Sequence, residues 1–154
     1  MDGSHHMTLV VLLACAIASI RPGDPAVQQV CALRVTAQLA LSYVLSGLVK
    51  AVGASWRSGQ AFAGIFSAET YGSGALVRLA ARVPAFSPVF CWLVITYEIG
   101  FLLVFVAPRP GQIAFVILGL AFHLAVAVFM GLNKFLWAWW SAYPCLLWGL
   151  WGHG

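Results

Sequence analysis

Charged side chains are scarce in this chain of 154 residues: Asp, Glu, Lys and Arg make up 8% of it, and hydrophobic residues 62%. Soluble domains carry about 25% charged residues, which keep their surfaces hydrated. The composition therefore excludes a soluble domain and predicts an all-α, polytopic bundle of transmembrane helices surrounded by the lipid bilayer. At roughly 20 residues per span, we expect about five spans in a single bundle.

Acidic residues are the scarcest charged type, with four Asp and Glu against eight Lys and Arg. The cations fall mainly between apolar segments, where they mark the ends of membrane spans, so we predict no nucleic-acid partner. The four cysteines are scattered without a C-x-x-C pair. This spacing indicates neither a redox dithiol nor a metal site.

Long apolar segments predict where the spans lie. Residues 1–7 look like a tag or a disordered start, and we leave them outside the fold. A single bundle is expected over 8–151, with spans at about 8–20, 26–49, 86–107, 111–131 and 135–151. Segment 59–83 is too rich in Gly and charge for a span, so we predict a loop with an amphipathic or re-entrant helix there.

The distribution of Lys and Arg between the loops predicts the orientation. With five spans, five of these cations lie on the side of the N-terminus and two on the other side. The positive-inside rule then predicts a multi-pass protein of the cell membrane with a cytoplasmic N-terminus. The same count places Lys50 on the cytoplasmic side.

Three ionisable residues fall inside predicted spans: Arg34, Glu98 and His123. A charge facing lipid is costly, so we expect all three to point inward. Glu98 and His123 are each the thirteenth residue of neighbouring antiparallel spans, which predicts a hydrogen bond between them near mid-membrane, within reach of Arg34. Two interpretations remain open: a polar clamp that only fixes helix packing, or a proton relay or ligand-orienting pair.

An ordered set of motifs begins with "YVLSGLVKAVGASWRSGQAF" at 43–62 and continues with "YEIGFLLVFV" and "FHLAVAVFMGLNKFLWAWWSAYPCLLW". The residues that carry these motifs are Ser46, Gly47, Lys50, Trp56, Gly59, Glu98, His123, Met130, Gly131, Phe135, Tyr143 and Pro144. Their order and spacing over residues 40–150 resemble the HTTM family, the membrane domain related to vitamin K-dependent gamma-carboxylases. The chain is most similar to its short bacterial members, some of which are linked to maturation or export of secreted peptides.

The resemblance implies a role for Lys50, because a Lys in this neighbourhood of the carboxylases is the base that deprotonates reduced vitamin K. A Lys ammonium withdrawn from water releases its proton more readily. We therefore take Lys50, Glu98 and His123 as candidate catalytic residues. Candidate substrate-binding residues are Arg34, Trp56, Arg57 and Tyr97. The expected cofactor is a quinone or a vitamin K-type hydroquinone, and the expected partner a secreted peptide or another membrane protein.

Other interpretations of the same residues stay open. Lys50 could be a snorkelling Lys at the membrane interface, and Trp56 an interfacial anchor. The chain could also be a non-enzymatic accessory or scaffold subunit, or a relative of the four-helix DoxX-like proteins, which are quinone-associated. Since the Asn/His-containing loop and the large lumenal domain of the carboxylases have no counterpart here, we do not expect carboxylation of protein Glu residues.

Overall fold

The computed structural model describes residues 3–66 and 74–152, and within these ranges it contains helices and turns but no strand. The α-helices are α1 (Gly3–Ile20), α2 (Pro25–Val52), α3 (Ala54–Arg57), α4 (Gln60–Phe66), α5 (Gly74–Arg82), α6 (Phe86–Gly100), α7 (Arg109–Met130) and α8 (Asn133–Trp151). A 3₁₀ segment, Phe101–Phe105, continues α6. The all-α prediction is confirmed for the described residues.

Among the described residues, three helices are long and apolar enough to cross a membrane: α2 with 28 residues, α6 together with its 3₁₀ continuation with 20, and α7 with 22. They match the predicted spans at 26–49, 86–107 and 111–131. The two other predicted spans correspond to α1, which is apolar but shorter, and to the Trp-rich α8. The fold is thus compatible with a membrane protein that has three candidate spans among its described helices.

Helix α1 begins earlier than the sequence predicted. Residues 3–7, assigned above to a tag-like or disordered start, form its first turns. Met7 is only 1% exposed and continues the buried face of Val11 and Ala14, four and seven residues further on. Because a spacing of three or four residues brings side chains to one face of a helix, Met7 extends the buried face of α1 towards its N-terminus.

The predicted loop at 59–83 contains the two short helices α4 and α5, and residues 67–73 of it lie outside the described residues. Phe62 and Phe66 of α4 are buried against α6. Arg78 and Arg82 of α5, one turn apart, are both exposed. Helix α4 is therefore part of the packed bundle, whereas α5 presents its cations outward.

Helix α2 lies at the centre of the bundle, where it packs against α1, α6 and α8. Its start is fixed by Asp24, whose Oδ1 accepts hydrogen bonds from the backbone N–H groups of Ala26 at 3.0 Å and Val27 at 3.2 Å. Pro25 occupies the first helical position, where its missing N–H costs nothing. The turn before α2 is thus encoded locally.

The C-terminal end of α2 leaves the N-terminal part of the neighbouring α6 uncovered. The two helices run antiparallel, since Tyr43 stacks on Phe101 with ring centroids 4.3 Å apart, while Lys50 meets Glu98. Beyond Glu98, α6 extends to Phe86, which is about 18 Å at 1.5 Å per residue. Helices α3 and α4 pack beside this part of α6. A cavity can therefore form past the end of α2 and still lie within the length of α6.

The turn from α3 into α4 depends on Gly59. Its φ is +83°, and a Cβ at this position would lie 2.5 Å from the backbone nitrogen of Pro88. Glycine adopts this conformation freely, and no other residue would leave room for Pro88. The glycine that follows Trp56 in the sequence motif thus allows α4 to fold back onto α6.

We predict that Gly47→Ala destabilises the bundle, because α6 packs closely against α2 at Gly47. An added Cβ would lie 2.8 Å from Ile99 Cγ1 and 3.0 Å from the Ile99 nitrogen. We expect the free energy of unfolding to fall by about 1–3 kcal/mol, measured by thermal unfolding in detergent. Gly100→Ala is the matched control on α6, since a Cβ there meets nothing within 4 Å. Equal stability of the two variants would contradict the proposed close approach.

Candidate functional site

A cavity of about 660 Å³ lies between α2, α4, α6, α7 and α8. This volume is within the range of about 300–1,000 Å³ typical of sites for small organic ligands. Most of its wall is aromatic or aliphatic. The polar residues on the wall, apart from two tryptophans, are Ser42, Tyr43, Ser46, Lys50, Glu98 and His123.

Lys50 and Glu98 form an ion pair on this wall. Lys50 Nζ lies 2.7 Å from each carboxylate oxygen of Glu98, and the two side chains are only 17% and 5% exposed. Ser46 joins them: its Oγ accepts a hydrogen bond from Lys50 Nζ at 2.5 Å and donates one to Glu98 Oε1 at 3.3 Å. Each charge is thus compensated by the other, as a buried charge requires.

The ammonium group of Lys50 is held at the cavity wall by Ser46, Glu98 and Trp56. Its three protons have acceptors in Ser46 and in both oxygens of Glu98, and its Nζ lies 5.0 Å from the ring centroid of Trp56. The indole face adds a cation–π attraction. Lys50 therefore points towards α6 and the cavity.

The Lys50–Glu98 pair is suited to proton exchange. If the proton passes from Lys50 to Glu98, the pair becomes a neutral amine and a neutral carboxylic acid. Burial removes hydration from both charged groups, and their close pairing compensates for this loss. A ligand group beside the pair could then give a proton to the amine or take one from the acid.

A second polar group contains His123 of α7. Its Nε2 is 2.8 Å from the hydroxyl oxygen of Tyr43, which is in turn 2.5 Å from the hydroxyl oxygen of Tyr143. The imidazole is 4% exposed and lies between the rings of Phe122 and Trp139, with centroids 5.1 and 4.9 Å away. Three helices thus contribute to one buried hydrogen-bonded chain.

The polar groups are concentrated at one end of the cavity. Along α6 the lining residues run from Phe86 and Phe90 through Val94 to Glu98, and along the antiparallel α7 they run from Met130 back to His123. At the apolar end α4 packs against α6, with the Phe62 ring centroid 5.3 Å from that of Phe86 and 5.1 Å from that of Phe90. The cavity is therefore amphipathic along its length.

The predicted hydrogen bond between Glu98 and His123 is wrong, although both residues line the cavity. Glu98 is bonded to Lys50 and Ser46, and His123 to Tyr43. Counting positions along two antiparallel spans placed both residues at a similar depth, and in the structure both line the same cavity. It did not anticipate that α2 would supply the partners of both.

The expectation that Arg34 points inward is also wrong. Arg34 is exposed, whereas the adjacent Val35 is buried together with Leu39, and these two define the inner face of α2. Successive residues of a helix are about 100° apart, which turns Arg34 away from that face. Arg57 of α3 is likewise exposed, and neither arginine is among the described residues that line the cavity.

Trp56 and Tyr97 take different places. Trp56 is half-buried and lines the cavity beside Lys50. Tyr97 packs edge-on against Tyr43, with ring centroids 5.6 Å apart, and donates a hydrogen bond to the carbonyl oxygen of Phe115 at 3.0 Å. Tyr97 thus packs against Tyr43 and is not itself among the described residues that line the cavity.

The sequence prediction missed Tyr43, Ser46 and Tyr143 as members of the site. A usable signal was present for two of them, since Tyr43, Ser46 and Lys50 follow one another at three and four residues, the spacing of one helix face. Tyr143 has no such signal. Its place in the site depends on how α8 packs against α2.

In the part of the chain that the structure describes, no three His, Cys, Asp or Glu side chains are grouped to hold a metal ion. Comparison of the chain with protein-family models, curated proteins and solved structures gives no match. The resemblance to the HTTM family therefore rests on the motifs quoted above. The candidate site rests on the geometry.

We predict that Lys50→Met and Glu98→Gln each destabilise the protein strongly, while the double variant recovers most of the loss. Either single change leaves a buried group without its partner, at a cost of about 3–5 kcal/mol, whereas the double change removes both charges. Thermal unfolding of the purified protein measures the effect. Lys134→Met is the control, because Lys134 is exposed. Single variants as stable as this control would contradict a buried pair.

Proposed function

We propose that the chain is a multi-pass protein of the cell membrane, with α1 and α8 completing about five spans, that binds a quinone-like ligand in its cavity. The observation that carries the proposal is the amphipathic cavity. Phe62, Phe86 and Phe90 line one end, and Lys50, Glu98 and His123 lie at the other. A lipid-soluble molecule with a polar ring and an apolar tail matches this distribution.

The Lys50–Glu98 pair supports an acid–base role for the site. Its ammonium and carboxylate are 2.7 Å apart and largely shielded from water, which places a proton donor and a proton acceptor side by side. In the proposed function the pair exchanges a proton with a hydroxyl group of the ligand. Lys50 also occupies the position where the HTTM resemblance implies a base.

The HTTM resemblance further suggests where such an activity belongs. Short bacterial members of that family are linked to maturation or export of secreted peptides, so we propose a maturation factor or enzyme of this type, with a peptide as the second substrate. The chemistry required of the chain is modest: to bind the ring, exclude water and move one proton.

A second candidate function is that of a non-enzymatic accessory subunit. It is favoured by the complete pairing of Lys50, since an ammonium whose three protons all have acceptors in the protein is well suited to fix the packing of α2 on α6. A quinone-associated protein of the DoxX-like kind is the other alternative. Ligand binding separates the first candidate from a pure scaffold.

We predict that Val126→Trp abolishes ligand binding, because Val126 of α7 lines the cavity and an indole there fills part of it. The protein is extracted in mild detergent, and the quinone that accompanies it is quantified by native mass spectrometry. Val128→Trp is the matched control, since Val128 is 67% exposed.

The expected result is a stoichiometric quinone with the wild type and the control, and none with Val126→Trp. If no quinone accompanies the wild type and none binds when added, the proposed function is wrong. A stoichiometric protein partner in place of a quinone would establish the accessory role.

A further inference from the structure

Two residues on the cavity wall are also exposed on the outside of the protein: Ala125 and Phe129, one turn apart on α7. Phe129 is 43% exposed, whereas the other described residues that line the cavity are buried or half-buried. A side chain that reaches both the cavity and the outer surface marks the place where the two meet. The cavity therefore opens to the outside along this part of α7.

The lining of the cavity follows α7 from its inner face round to its outer face. His123 points into the bundle, where its imidazole meets the hydroxyl group of Tyr43. Ala125 comes two residues later, which is about 160° away around the helix axis. Val126 and Phe129 line the cavity in directions between these two. A closed chamber would touch only the inner face, so this arc places the opening at the side of α7.

Helix α6 forms the opposite edge of the opening. At one end the two helices meet through Tyr97, whose ring centroid lies 6.3 Å from those of both Phe115 and Phe122. At the other end Met130 packs against the phenylalanines of α4, which in turn pack on α6. Between these contacts α6 packs mainly against α2, α3 and α4, and α7 against α8. The gap that remains between α6 and α7 is called the lateral window below.

The lateral window has apolar edges, formed by Phe90 and Val94 on α6 and by Ala125 and Phe129 on α7. Both helices are candidate membrane spans, so the window faces the hydrocarbon of the bilayer. An apolar chain can lie between such edges without displacing a hydrogen bond, whereas a polar group would lose its hydration there. The window therefore suits the apolar part of a ligand.

We propose that the ligand lies with its ring inside the cavity and its apolar tail passing through the lateral window into the bilayer. The site then takes lipid-soluble ring compounds with long alkyl or isoprenoid tails, because the cavity of about 660 Å³ holds only the ring and the first part of the tail. The ligand enters and leaves from the membrane rather than from water. This inference rests on the proposed function, since it requires a ring ligand in the cavity.

The test compares two probes in lipid nanodiscs: a dimethyl-naphthoquinone without a tail, and the same ring with a long polyprenyl tail. Affinities are expressed per ligand dissolved in the bilayer, so that partition into lipid does not contribute. We expect the wild type to bind both probes with similar affinity, because the long tail stays in contact with lipid.

Ala125→Trp places an indole in the lateral window. We expect it to weaken binding of the long-tailed quinone about tenfold, because indole and tail compete for one gap, while the tailless quinone binds as before. Ala114→Trp is the matched control, since Ala114 is an exposed alanine of the same helix and is not among the described residues that line the cavity. It should bind both probes like the wild type.

A nitroxide at the end of the polyprenyl tail gives an independent measurement on the wild-type protein. While the ring is bound, the electron paramagnetic resonance spectrum should show the fast motion of a lipid chain. Oxygen, which concentrates in the hydrocarbon of the bilayer, should relax the nitroxide efficiently. A tail folded inside the protein would instead move slowly and be protected from oxygen.

The outcomes separate this inference from the proposed function. A wild type that binds only the tailless quinone, or an Ala125→Trp variant that binds both probes as well as the control does, would overturn the lateral window while leaving a ligand-binding cavity in place. A slow, protected nitroxide would do the same, and it decides the question even if Ala125→Trp fails to fold. If neither probe binds to the wild type, the cavity is not a site for ring ligands, and both proposals fail.

Discussion

The ion pair between Lys50 and Glu98 is the interaction on which the arrangement of the site depends. Two opposite charges held 2.7 Å apart away from water can stay buried only together. Their attraction joins the C-terminal end of α2 to the C-terminal end of α6, and Ser46 adds a hydrogen bond to each partner. Because this contact lies about 18 Å from the start of α6, the rest of α6 needs other neighbours.

Those neighbours create the cavity. The chain leaves α2 at Val52 and folds back through α3 and α4, with Gly59 against Pro88. The phenylalanines of α4 then pack against those of α6, and together they line the apolar end of the cavity. The charged pair at one end and the phenylalanines of α4 and α6 at the other thus follow from where a single helix ends. The same amphipathic character is what a membrane-soluble ring ligand requires.

Much of this could be predicted from the sequence, because the signals were local. Apolar segments of sufficient length indicated α2, α6 and α7, and the cost of charge in lipid singled out Glu98 and His123 as residues of a buried site. Partners could not be predicted in the same way. The pairing of Glu98 with Lys50, the bond from Tyr43 to His123 and the outward position of Arg34 all depend on the rotation of α2 about its axis. A rotation of α2 by one residue, about 100°, changes which of its side chains face inward. This rotation is determined by the packing of the whole bundle.

Lys50 and Glu98 form an ion pair beside the cavity, with both side chains shielded from water. Solid-state NMR of the protein in lipid bilayers tests this most directly, through the dipolar coupling between Nζ of Lys50 and Cδ of Glu98, with water-edited spectra of both groups. We predict a strong one-to-one correlation and slow transfer of magnetisation from water. An absent correlation, with both groups in rapid contact with water, would contradict the account.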